Sequence, residues 1–167
     1  MGYRSDVKII VALPTEKARE EVMALYSMHP LVQKGDIAEQ WVPHHQTFDR
    51  VLYLPNDPMG AARHEVHPTT AYLLVYQDEE VKWYETDEKV KAVMWMFQFL
   101  QQSSDESEDF IYAYKFVRVG EDADDIEFER AWSEDSKTMG SALDDFVSEM
   151  LDVRVEICLD INLEKKC

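Results

Sequence analysis

The chain has 167 residues, of which 46% are hydrophobic and 11% aromatic, with only 5 Gly and 6 Pro. That length suits one α+β-sized domain burying roughly two thirds of its unfolded surface, and the composition excludes a disordered acidic tail or a disulfide scaffold. The formal charge is −17, a field that repels DNA, RNA and anionic lipid and attracts cationic surfaces.

The charge is uneven along the chain. Residues 1–50 hold 7 acids and 6 bases, residues 51–100 hold 8 and 4, and residues 101–167 hold 19 and 7, so the acidic C-terminal half dominates. No apolar run reaches the ~20 residues of a membrane span, and Met1-Gly2-Tyr3-Arg4-Ser5-Asp6 lacks the apolar stretch of a secretory signal. Cys158 and Cys167 have no metal or redox spacing, and a reducing cytoplasm is expected.

The β-branched run 7–13, stopped by Pro14, predicts a buried strand. Thr15 is placed to cap the next helix, in which Ala18, Val22, Leu25 and Tyr26 recur at helical spacing until His29-Pro30. A less regular stretch with Gly35, Pro43, His44 and His45 leads to a second strand within 48–54. Three prolines and a glycine make 55–69 a long surface loop. Residues 71–76 form an apolar strand, and the polar 78–80 predicts a hairpin to a short strand at 81–84.

Thr86 or Asp87 caps the clearest helix, with Val90, Val93, Met94, Phe97 and Leu100 at the 3.6 period through Gln102. Trp95, Met96 and Phe99 make that helix apolar nearly all round, which suits a core or an oligomer contact. Residues 103–109 read as a solvated loop, and 110–119 as a central strand. A turn at 120–125 leads into a second hairpin strand in which Ile126, Phe128 and Trp132 alternate with Glu127, Glu129 and Ala131. Ser141 caps a last helix with Leu143, Phe146, Val147, Met150 and Leu151 inward, and Val153, Val155, Ile157 and Leu159 alternate as a closing strand. The expected fold is a single α+β domain over 1–167, with a mixed, mostly antiparallel sheet and about three helices packed mainly on one face.

Catalytic patterns are sparse. The five glycines are too dispersed to form a phosphate-cradling loop, and Gly140-Ser141 lacks the second glycine of a nucleophile elbow. His44, His45, His64 and His67 would form a metal site if two loops met, which keeps a small metal-dependent enzyme as an alternative. Asp122, Asp124, Asp125 and Glu127 lack the turn glycine of a calcium loop, and the twelfth position from Asp122 is Ser133. No cofactor is implied.

The acidic residues suggest binding instead. Residues two apart on a strand project from one side about 6.8 Å apart, twice the spacing of about 3.4 Å between phosphates along a DNA strand. Glu127 and Glu129 have that spacing, and Asp145, Glu149 and Asp152 form a stripe on the last helix, beside Asp122, Asp124 and Asp125. Such a surface either imitates a nucleic-acid backbone in the basic groove of another protein, or serves only solubility.

The segments MGYRSDV (1–7), VKWY (81–84) and YKFVRVGEDADDIE (114–127) resemble those of small acidic proteins of tailed bacteriophages and prophages. The resemblance spans about residues 1–130 and departs in the loop-rich 43–68. It implies expression in a bacterial cytoplasm and supplies no reaction, cofactor or catalytic residue. The function expected is therefore that of a phage accessory protein, a nucleic-acid-mimicking inhibitor bound to the basic surface of a host defence or nucleic-acid-handling protein. The alternatives are the metal-dependent enzyme and a homo-oligomeric phage structural protein. Arg118, flanked by Val117 and Val119, is expected to pair with a turn carboxylate.

Overall fold

The strand at Ser5–Leu13 (β1) is apolar on both of its alternating faces and can only be stable at the centre of a covered sheet. In the computed structural model, which describes residues 4–54, 63–122, 124–135 and 138–151, β1 takes that place. It is followed by helices Glu16–Tyr26 (α1) and Pro30–Lys34 (α2), a 3₁₀ turn at Ile37–Gln40, and strands Trp41–Leu54 (β2) and Arg63–Val81 (β3). Then come helix Glu88–Glu106 (α3), strands Ala113–Gly120 (β4) and Ile126–Trp132 (β5), and helix Met139–Met150 (α4). The five strands form one antiparallel sheet in the order β2-β3-β1-β4-β5. The fold is α+β, as the hairpin pattern predicts.

Alternation along β1 feeds two cores. Val7, Ile9, Val11 and Leu13 pack with Val22, Tyr26, Val32, Val93, Met96, Phe97 and Leu100 of α1, α2 and α3. Ile10 and Ala12 pack on the other side with Leu143, Phe146 and Val147 of α4. Each such side chain contributes roughly 1.5–3 kcal/mol by leaving water, so reversing β1 by one residue would forfeit both cores. Tyr26 ties the first core together: its hydroxyl donates to the Ala92 carbonyl (2.7 Å) and accepts from Trp41 Nε1 (3.2 Å).

Local signals hold at several ends. Thr15 accepts the Ala18 amide at 3.0 Å and starts α1, and Pro30 opens α2 after His29. The last helix begins earlier than Ser141: the Asp135 carboxylate accepts the amides of Met139 (3.1 Å) and Gly140 (2.9 Å). Ser141 thus lies inside α4 rather than capping it.

Other expectations are corrected. Residues 63–69 belong to β3 and pair with 48–54, so the loop expected at 55–69 is at most 55–62, which lies outside the described residues. Pro43 and Pro68 are tolerated because β2 is an edge strand and β3 has passed the end of β1 at Tyr72, so each has an unpaired flank among the described residues. The hairpin at 71–84 is absent. β3 instead runs on to Val81 against Ser5, bulging where Glu80 adopts φ 52° and its amide donates to Asp6 Oδ1 (2.9 Å). Residues 103–106 extend α3, and β4, beginning at 113, lies one place from the sheet edge rather than at the centre. The closing strand expected at 153–159 lies outside the described residues.

The apolar helix α3 is absorbed by the fold. Trp95 and Phe99 pack against the first core, Trp95 lying 4.6 Å from the His29 ring, and both remain partly exposed.

Gly140 sits where a Cβ would lie 1.9 Å from the Ser133 carbonyl oxygen. An alanine normally gains about 1 kcal/mol in a helix interior, but the overlap reverses the sign, and Gly140→Ala is expected to lose about 1–3 kcal/mol. Urea unfolding measures it, and an unchanged midpoint would mean the approach of α4 to Ser133 relaxes freely.

Candidate functional site

The β4–β5 hairpin carries five of the acidic residues singled out above. Arg118, on β4, closes its turn: Nη1 and Nη2 donate to both oxygens of Asp125 (2.9 and 2.8 Å), Nε donates to Glu127 (3.1 Å), and Nη1 reaches Ser5 Oγ (3.0 Å). The two-pronged hydrogen bond to Asp125 raises the guanidinium further above its ordinary range, so it stays charged. Asp125 is thus paired within the chain and Glu127, half-exposed, shares the same cation, as the expectation for Arg118 required. Glu129 accepts from the Tyr114 hydroxyl (2.8 Å), which itself accepts from Gln101 Nε2 (2.8 Å). Burial, then the Glu129 carboxylate, pushes that phenol above the tyrosine range. Asp122 and Asp124 are exposed at the tip.

The other acidic row does not join this one. Glu127 and Glu129 sit opposite Arg118 and Phe116, on the α3 side of the sheet, whereas Asp145 and Glu149 are exposed on α4, which covers the opposite side. Asp152 lies outside the described residues. The two acidic rows therefore stand on opposite sides of the sheet.

The alternate face of β5 is exposed as well, with Ile126, Phe128 and Trp132 at 40%, 61% and 38%. β5 is an edge strand, and α4 reaches across it only far enough for Asp144 to accept from Arg130 Nη2 (2.9 Å). Burial pushes the Asp144 carboxyl above its usual range, with Arg130 pulling it back. The buried Lys115 lies below, its Nζ 3.5 Å from the Ser148 carbonyl.

A concavity of about 530 Å³ opens between β2 and α4. Phe48 stacks on Phe146 there at 4.7 Å, and Asp49, Arg50, Ser141, Asp145 and Glu149 line it. The sequence offered no signal for it, because Phe48–Arg50 and α4 meet only through the tertiary fold.

The histidines do not converge. On the β2–β3 ribbon His44 and His45 face Leu73 and Tyr72, while His64 and His67 pair with Tyr53 and Arg50. Six residues of strand part His44 from the His67 position, about 20 Å. His67 Nε2 meets Glu65 at 2.9 Å, and no cluster of three or more metal-ligating side chains occurs among the described residues.

No protein-family model and no curated protein matches the chain. Among solved structures it is similar to a phage SAM lyase in complex with S-methyl-5′-thioadenosine, at a TM-score of 0.37 and 11% identity, covering 78% of this chain and 92% of that one. A likeness of that size carries no argument about chemistry. No helix among the described residues is long and apolar enough to cross a membrane.

Two measurements check the site's electrostatics. Removing the cation from Asp144 leaves a buried carboxylate unpaired, so Arg130→Met is expected to cost about 1–3 kcal/mol, more than Asp144→Asn, which keeps an acceptor for Arg130. Equal costs in urea unfolding would contradict the pairing. Burial, the largest cause for both Tyr26 and Tyr76, lifts their phenols above the ordinary range. Folded phenols therefore hold protons that the unfolded chain loses above about pH 10, so their stabilisation is complete below that pH and falls as pH rises, by up to about 1.4 kcal/mol per unit per phenol. Tyr26→Phe should flatten the decline between pH 9 and 11, and an identical slope would show that the phenol ionises freely.

Proposed function

We propose that this chain is a phage accessory protein acting in the bacterial cytoplasm by protein–protein contact, docking a cationic surface of a host defence or nucleic-acid-handling protein along β5. The observation that carries this reading is the two-sided exposure of that edge. One side presents Glu127 and Glu129, and the other presents Ile126, Phe128 and Trp132, with Arg130 between Phe128 and Trp132. The outer flank of β5 has no strand beside it among the described residues.

An exposed strand edge accepts an extended segment through its backbone N–H and C=O groups, and alternate side chains then set specificity. A segment alternating basic and apolar residues matches β5 on both sides. The net charge beyond residue 100 steers such a partner inward and makes its capture sensitive to salt. Recognition of this kind differs from imitation of a phosphate ladder, because Arg118 already holds Asp125 and Glu127. Inhibition follows from occupying the partner's basic groove. The resemblance of the 81–84 and 114–127 segments to phage proteins supports the setting.

Pull-down from bacterial lysate tests the reading. The wild-type chain is expected to capture a partner at low salt and to release it at moderate salt, and the triple variant Glu127→Lys, Phe128→Lys, Glu129→Lys is expected to weaken capture at least about tenfold. A partner retained by that variant, or held equally at both salt concentrations, would sink it.

A further inference from the structure

The seam between β2 and α4 contains buried polar atoms that the fold leaves unused. Gln46 Oε1, Arg50 Nε, Asp144 Oδ1 and Ser148 Oγ are buried without a hydrogen-bond partner. Gln46 and Arg50 share the face of β2 that carries Phe48 towards α4, whereas Asp144 and Ser148 lie on the side of α4 that meets Arg130 of β5 and Lys115 of β4. Each such orphan costs about 1–3 kcal/mol, and an acceptor on Gln46 with a donor on Arg50, on one strand face, mark a place for a polar occupant.

The cleft of about 530 Å³ adjoins that seam, and its charges are of both signs. Arg50 stands on the β2 wall. Asp145 and Glu149 stand on the α4 wall, one helical turn apart, so both can address a single cation. Arg50 forms no ion pair with either carboxylate among the described residues, although all three line the same cavity. A simple cation would be repelled by Arg50, and a simple anion by Asp145 and Glu149. Between these walls Phe146 and Ala142 supply an apolar surface.

We propose that the β2–α4 cleft binds a small zwitterion of the amino-acid class, with its anionic group on Arg50, its ammonium on Asp145 and Glu149, and an apolar body lying across Phe146. The site is separate from the β5 edge, and its occupancy does not depend on the docking reading. A charge-assisted hydrogen bond at each end fixes the ligand's direction.

Calorimetric titration with three probes tests this: 6-aminohexanoate, which carries both charges on an apolar chain, and hexylamine and hexanoate, which carry one each. The zwitterion is expected to bind saturably and at least tenfold more tightly than either half. Arg50→Gln and the double variant Asp145→Asn, Glu149→Gln should each weaken it tenfold or more with unchanged circular dichroism. Arg50→Lys should stay within a few-fold of wild type, and Glu108→Gln, outside the cleft, should match it. The β5 triple variant should bind the zwitterion normally, which separates this result from the pull-down. No saturable binding at millimolar concentration, meaning that water alone fills the seam, would overturn the proposal. So would hexylamine or hexanoate binding as tightly as the zwitterion, or an Arg50→Gln chain binding undiminished.

Discussion

Burial of β1 on both faces is the constraint from which the rest of the architecture follows. A strand apolar at consecutive positions cannot sit at an edge or face water, so β3 and β4 must flank it and helices must cover both sides. Three helices take one side and α4 takes the other. The α4 side is the less apolar of the two, because Lys8 and Lys115 are buried there along with Asp144. Arg130 from the edge strand reaches Asp144, and Lys115 lies close to the helix backbone. Part of the acidity of α4 is thus explained by the cations it covers.

The large negative charge resolves into two kinds of carboxylate. Some are structural: Asp125 and Glu127 clamp Arg118, Glu129 holds the Tyr114 hydroxyl, and Asp135 satisfies the first amides of α4. Others, such as Asp145 and Glu149, stand exposed. Local pairing consumes the ordered spacing that a phosphate mimic needs, while the long-range field survives, because a few arginines cannot offset a formal charge of −17. What stays exposed is an edge strand with Glu127 and Glu129 on one side and Ile126, Phe128, Arg130 and Trp132 on the other, and a separate cleft bearing charges of both signs.

Much of the fold was legible in the chain because its signals are local. The run 7–13, the Thr15 cap, the 3.6 period from Val90 to Leu100 and the turn at 120–125 each depend on residues two to four positions apart, and each formed as read. So did the pairing of Arg118 with a turn carboxylate, since a hairpin brings those positions together whatever surrounds it. Residues 63–69, polar and bearing Pro68, and the acidic run 78–80 look like loops in the sequence alone. Pairing with β2 and β1 overrode that preference.

The sequence by itself determined the α+β class, the burial of an apolar first strand and the sign of the field, because composition and short-period patterning carry that information. Only the tertiary structure decided which side of the sheet each helix covers. That choice put Glu127 and Asp145 on opposite sides, turned Phe128 outward, drew out the histidines along a ribbon and closed a cleft between Phe48 and Phe146. Strand alternation tells which residues share a face but not which face will be covered. Coverage is settled by long-range burial, in which every element competes for the same apolar surface.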